Sequence, residues 1–260
     1  MPTLRTVAHN GLMKLSVQLF TLRSSCADDL EGTLEAIRAM GLRYVEFAGL
    51  HDHSPLHVRS FLERLGLEPS GCHVSLERLR EGLDEVIAES KLLHNRHVVL
   101  PWVPADFFGS GWASCAPELE SIGERLASEG LVFCYHNHAF EMEFEGAKPG
   151  LDVLFESTSP ESLQAQIDCY WVQWGGQDPA TYIRDLAGRI PTVHLKDGLM
   201  GSEPQDAIAG QGALDWNSIL AACAEARVEF GVVEMDHPPG DPLDAVRRCV
   251  EFFRSRGVAE

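Results

Sequence analysis

Pro191-Thr192-Val193-His194 is an apolar run that ends in an imidazole. Upstream, Gln166-Ile167-Asp168 ends in a carboxylate, and downstream Gly231-Val232-Val233-Glu234 ends in another. A fourth run, Val132-Phe133-Cys134-Tyr135, leads into His136-Asn137-His138-Ala139-Phe140-Glu141. Short apolar runs are the pattern of buried strands. When such strands are parallel and close into a barrel, their C-terminal ends share one rim, so polar groups there converge. A single histidine or acid at a strand end is more often a hydrogen-bonded core residue or a helix cap. Several at the same ends of successive strands are a different matter, because buried unpaired carboxylates are costly and a cation relieves that cost. Glu, Asp, His and Glu form an oxygen-rich set with one nitrogen, which fits Mn²⁺, Mg²⁺, Co²⁺ or Zn²⁺.

Working outward, the same alternation covers the whole chain. Strands are predicted over 15–20, 44–47, 68–73, 97–100, 131–135, 163–168, 192–195 and 228–234. Between them, apolar residues recur at i, i+3 and i+4, which predicts helices over 29–40, 55–65, 83–93, 117–127, 179–187, 214–224 and 242–254. Asp178-Pro179 and Asp241-Pro242 are helix starts, and Gly41, Gly66, Gly130 and Gly257 follow helical patterns as stops. The crossover over 151–157 is short, and the Gly-rich polar stretch 197–212 is a candidate active-site loop. Strands alternating with helices predict an α/β fold with a parallel sheet. The chain has 260 residues, close to the ~250 of one (β/α)₈ barrel, so 1–260 is read as a single TIM-barrel domain. No G-x-G-x-x-G follows the first strand, which argues against dinucleotide binding.

Lys+Arg number 21 against 39 Asp+Glu, a net charge of −18. Such a surface repels phosphate backbones and disfavours nucleic acid as a partner. Seven cysteines without a C-x-x-C pair make neither a disulfide framework nor a zinc ribbon. They read as small core residues in a reducing, cytoplasmic setting. The sequence has no secretory pattern and no apolar run of about 18 residues, so no membrane association is expected. The expected partner is a small-molecule sugar or cyclitol. Homo-oligomer formation is left open.

Several segments resemble the xylose isomerase-like sugar isomerases and epimerases, and the resemblance extends over essentially the full length. They are Val17-Gln18-Leu19-Phe20-Thr21-Leu22-Arg23, Val45-Glu46-Phe47-Ala48-Gly49, Tyr135-His136-Asn137-His138-Ala139-Phe140-Glu141 and Asp168-Cys169-Tyr170-Trp171-Val172. Three more are 188–197, Gly210-Gln211-Gly212-Ala213-Leu214-Asp215-Trp216 and Val232-Val233-Glu234-Met235-Asp236. The resemblance implies a (β/α)₈ barrel with one divalent metal held by Glu, Asp, His and Glu. Asp168, His194 and Glu234 fill three positions. Glu141 is the choice for the fourth, with Glu143 as its alternative.

The implied chemistry is removal of a proton beside a metal-polarised carbonyl. Return of the proton to the neighbouring carbon isomerises a sugar, and return to the opposite face of the same carbon epimerises it. Glu141 and Glu234 are the expected bases, with His138 as a further base or as an orienting partner. Trp171 stands where several sugar epimerases carry a histidine. This departure, with the Tyr-His-Asn-His pattern, resembles the branch of inosose dehydratases and lyases of 3-keto-glycosides. Glu46, His73, Trp102, His136, Trp171 and Lys196 are the candidate substrate contacts; rim hydrogen bonding is the other reading of Glu46 and His73, and pairing with Asp197 that of Lys196. Strand alternation aims Lys196 away from its neighbour. Phe20 and Trp102 are candidate pocket walls, Trp216 reads as packing, and His51, His53 and His57 read as solvated. The competing readings are a nuclease of the endonuclease IV type, which the acidic surface disfavours, and a non-catalytic sugar-binding or partner subunit.

Overall fold

The computed structural model describes residues 13–109 and 111–259. Eight parallel strands close into a barrel: β1 (Lys14–Gln18), β2 (Tyr44–Ala48), β3 (Glu68–His73), β4 (His97–Leu100), β5 (Val132–His136), β6 (Gln164–Asp168), β7 (Thr192–Leu195) and β8 (Phe230–Val233). Each pairs with its neighbours in chain order, and β8 closes on β1 with Val17 opposite Val233. The fold is a (β/α)₈ TIM barrel.

The predicted helices form the outer ring as Leu30–Ala39, Pro55–Leu65, Leu83–Leu93, Ala116–Ser128, Pro179–Asp185, Trp216–Ala226 and Pro242–Ser255. Their caps follow the sequence signals. Asp178 accepts from the Thr181 N–H and Asp241 from the Asp244 N–H, while Gly66 ends its helix in the left-handed region at φ 65°. Four short helices were not predicted as helices: Arg23–Asp28, Leu76–Glu81, Gly150–Glu156 and Cys169–Trp174. The polar stretch after β7 contains an antiparallel hairpin, with Asp197–Leu199 against Gln205–Ala207. All seven cysteines are free and buried, as expected. Among the described residues, no helix is long and apolar enough to cross a membrane.

Strand alternation divides the interior in two. Leu15, Val17, Val45, Phe47, Phe133 and Tyr135 belong to the large apolar core that includes residues of the surrounding helices. The intervening residues Ser16, Gln18, Glu46, Gln166, Thr192 and His194 are also buried, but polar. Inside the barrel, Ser16 and Ser70 share a hydrogen bond of 2.7 Å. Tyr44, Phe230 and Val232 form a small apolar cluster of their own. The barrel lumen is therefore apolar near the start of its strands and increasingly polar toward their C-terminal ends.

Candidate metal and sugar site

Asp168 is the last residue of β6 and the N-cap of the helix Cys169–Trp174. Its Oδ1 accepts from the Trp171 N–H at 2.9 Å, while Oδ2 is buried without a partner. One carboxylate thus starts a helix with one oxygen and offers the other to the lumen. The Asp168 N–H donates to Asn137 Oδ1 at 3.0 Å, which ties β6 to the loop after β5. Next to it on β7, His194 donates from Nε2 to Glu46 Oε2 at 2.6 Å. A carboxylate only accepts, so Nε2 carries the proton and Nδ1 keeps its lone pair. That Nδ1 is buried and unpartnered. Burial lowers the His194 pKa, which keeps the ring neutral although Glu46 pulls the other way. Glu234 follows β8, is buried, and lies 3.0 Å from Lys196 Nζ through Oε2.

Asp168, His194 and Glu234 each present a ligand atom within 4.8 Å of the others. Burial raises the pKa of both carboxyls, Lys196 opposes this, and Asp236 adds to it. The unpartnered Asp168 oxygen, the Glu234 carboxylate held against Lys196 and an imidazole lone pair together fit a divalent cation. His73, His136 and His194 form a second group of the same spread. It contains no carboxylate to offset a dication, and His194 has one lone pair to give.

Glu46 organises this arrangement. It is fully buried and accepts from Gln18 Nε2 at 2.7 Å, Gln166 Nε2 at 2.6 Å and His194 Nε2 at 2.6 Å, with His73 Nε2 at 3.2 Å. Burial pushes its carboxyl up, but His73 and His194 outweigh that and hold it well below the usual carboxylate range. A β-carbon on Gly71 of β3 would lie 2.6 Å from Glu46 Oε1, so the glycine makes room for this carboxylate. Glu46 therefore fixes the orientation of His194 and His73, as carboxylates behind metal-binding histidines do.

Above these groups lies a cavity of about 410 Å³ lined by Gln18, Phe20, Trp102, His73, His136, His138, His194, Glu234 and Asp236, among others. His73, His136, His138 and Trp102 are thus brought together as the sequence suggested. Burial and the charge of Lys196 lower His138 to about 4, leaving a neutral ring whose Nδ1 is buried and unpartnered. Trp171 lines a neighbouring cavity instead.

Two assignments change. Glu141 does not join Asp168, His194 and Glu234. It sits in the short turn after β5, fully buried, with Oε1 accepting from the Tyr135 hydroxyl at 3.0 Å and Oε2 from the His138 N–H at 2.8 Å. Burial raises its carboxyl to about 7. It holds the loop that carries His138; Glu143 is exposed. Lys196 is 1% exposed and pairs with Glu234 and Asp236, not with Asp197, beneath the Trp171 ring at 4.9 Å. It stands two residues after His194, and residues so spaced share a face. Asp197 instead accepts from Gly210 N, Gly212 N and Trp216 Nε1 at 2.8, 3.2 and 2.9 Å, fixing the loop after β7. Asp236, Gln18 and Gln166 are site residues that the sequence reading passed over. The signals were the Glu234/Asp236 spacing and two glutamines in otherwise apolar strands.

A family model, the xylose isomerase-like TIM barrel, matches residues 34–256. The chain belongs to this family. Among curated proteins, it is 22% identical to an inosose dehydratase of Geobacillus kaustophilus over 263 residues, 85% of each chain. Among solved structures, a sugar phosphate isomerase/epimerase of Parabacteroides distasonis superposes with a TM-score of 0.81 at 17% identity, covering 95% of this chain and 100% of that one. The IOLI protein, which holds a zinc atom, superposes with a TM-score of 0.72 at 15% identity, covering 94% and 97%. At these identities the structural likenesses establish the fold.

Proposed function

We propose that this chain is a divalent-metal-dependent sugar isomerase or epimerase that moves a proton on the carbon next to a carbonyl. The reading is carried by the convergence of Asp168, His194 and Glu234, with one Asp168 oxygen and an imidazole nitrogen buried and unpartnered. These residues would hold the cation, which when bound would polarise a substrate carbonyl and acidify the adjacent C–H. Glu46 fixes the His194 tautomer. His138 Nδ1 and the Glu234 carboxylate are the groups placed to take and return the proton. His73 and His136 offer polar contacts to hydroxyls. Phe20 and Trp102, 41% and 55% exposed, give apolar faces that stack on a ring and keep water from it.

A second reading, dehydration of an inosose or elimination from a 3-keto-glycoside, has its own support. The inosose dehydratase relative spans most of both chains, and Trp171 lies at the rim where a ring-closed substrate can stack. Both readings begin with loss of a C–H proton, so one experiment addresses both. Metal-loaded enzyme is incubated in D₂O with ketoses, inososes and 3-keto-glycosides, and products are read by NMR and mass spectrometry. Deuterium in a product of unchanged composition supports the isomerase or epimerase. Loss of water or an aglycone supports elimination. Turnover without exchange would mean hydride transfer, and absence of both turnover and exchange would favour a non-catalytic sugar-binding or partner subunit.

A further inference from the structure

Next to the cavity that holds the candidate metal ligands lies a second, of about 490 Å³. The two share Phe20 and Asp236 as lining residues, so they adjoin across that pair. Pockets of ~300–1,000 Å³ are of a size that holds a small ligand. At about 410 and 490 Å³, each cavity reaches that size alone. Together they offer more room than a single monosaccharide fills.

The walls of the second cavity indicate what enters it. Phe20, Trp171 and Pro204 present apolar surface, and Arg23, Gln205 and Asp206 present planar polar groups. Apolar faces beside planar hydrogen-bonding groups suit a sugar ring, which has C–H faces and hydroxyl edges. The charges argue against a phosphate. Asp206 and Asp236 both line this cavity. Lys196, the cation nearest them, is 1% exposed and already shared with Glu234 and Asp236. Arg23 stacks on Phe20 at 4.5 Å and donates to the Phe20 carbonyl oxygen at 2.9 Å. Among the lining residues Arg23 and the His237 imidazole stand beside two carboxylates, with Lys196 3.8 Å from Asp206 but buried beneath them, and on a chain of net charge −18 this favours a neutral polyol over an anion.

We infer that the second cavity is a subsite for a neutral second ring, so that the substrate is a two-ring glycoside whose reacting ring lies beneath His138 and Glu234 and whose other ring lies among Phe20, Arg23, Trp171 and Gln205. This rests on the sugar-enzyme reading above.

The test is isothermal titration of the Mn²⁺-loaded protein with three kinds of probe: methyl glucosides, glucose 6-phosphate, and the glucobioses trehalose, maltose and cellobiose. At least one glucobiose should bind tenfold or more tightly than the methyl glucosides, and the phosphate should bind more weakly than they do. Arg23→Ala and Gln205→Ala should each bring the glucobiose and methyl glucoside affinities to within threefold of one another. Phosphate binding tighter than methyl glucoside overturns the inference, as does a failure of every glucobiose to exceed the methyl glucosides. If no sugar binds at all, the sugar-enzyme reading falls, and this inference with it.

Discussion

The two ends of the barrel use the same strands for opposite purposes. At the start of β2 and β8, Tyr44 and Phe230 meet edge to face at 5.2 Å, and Lys14 Nζ stands 4.9 Å from the Phe230 ring centre. His97 Nδ1 there is bonded to the Ser70 carbonyl oxygen at 2.9 Å. At the other end, Asp168 Oδ2, His194 Nδ1, His136 Nδ1 and His138 Nδ1 are buried without partners. Buried polar atoms are almost always hydrogen-bonded. At the first end His97 Nε2 and Asn95 Oδ1 are likewise unpartnered, but at the C-terminal end four such atoms lie close together around or just beneath one cavity, where a ligand can offset their cost. One end is thus packed around aromatic rings, and the other carries the candidate site.

The largest separation between the ends should come from Asp168→Ala. It removes an unsatisfied oxygen of the metal set, and both bound metal, measured by mass spectrometry, and turnover should be lost. Metal retention at wild-type stoichiometry would remove Asp168 from the set. At the opposite end, Phe230→Ala should lower unfolding free energy by about 3–5 kcal/mol, as large aromatic deletions do, with metal content unchanged in the folded protein. If Phe230→Ala lost metal while still folded, the two ends would be coupled and the contrast would fail.

Smaller effects sharpen the comparison. Glu46→Gln keeps the shape of the network but removes its charge; metal affinity should fall about 10–100-fold, as when partners behind metal-binding histidines are changed. Direct titration of the apo variant would show it. Glu141→Gln should keep its metal, because Glu141 faces Tyr135 and the His138 N–H. Its cost should be about 1–3 kcal/mol of stability, from one buried hydrogen bond left unmade. Loss of metal in that variant would return Glu141 to the ligand set. The smallest effect is a pH dependence from His97. Burial lowers its pKa, against the opposing bond to Ser70 and the charge of Glu229. The unfolded chain therefore takes up a proton below about pH 6.5 that the folded one refuses, and stability falls as pH drops through that region. His97→Gln should make the fall of the denaturation midpoint below that pH shallower but not abolish it, because His138 and His194 are also held neutral by burial.

Most of the eight strands were legible as short, largely apolar runs between helical patterns; β3, with Pro69, Ser70 and Gly71 in its middle, is the least apolar of them. Errors arose where an apolar run continued past its strand. Leu19 and Phe20 extend the pattern of β1, yet the chain turns at Leu19–Leu22 because the Gln18 side chain accepts the Phe20 N–H. Cys169–Trp174 escaped detection because six residues are too few to display a helical period. Within the candidate site, strand ends placed Asp168, His194 and Glu234 on the rim. Sequence spacing does not say which way a loop side chain turns, and for Glu141 the Tyr135 hydroxyl and a backbone N–H decide it. Nor does a strand end give depth: Glu46 lies beneath the cavity and reaches it through His73, His194 and Gln18, which it holds.

That buried carboxylate has a consequence for folding. Gln18 comes from β1, His73 from β3, Gln166 from β6 and His194 from β7, and all converge on Glu46 of β2. A slip of one residue in any of these strands would turn its polar side chain outward and bring an apolar one into the lumen. Glu46 would then be left buried, charged and short of donors. One side chain thus checks the register of strands far apart in sequence, and a misaligned barrel is penalised at the place where its chemistry would be done.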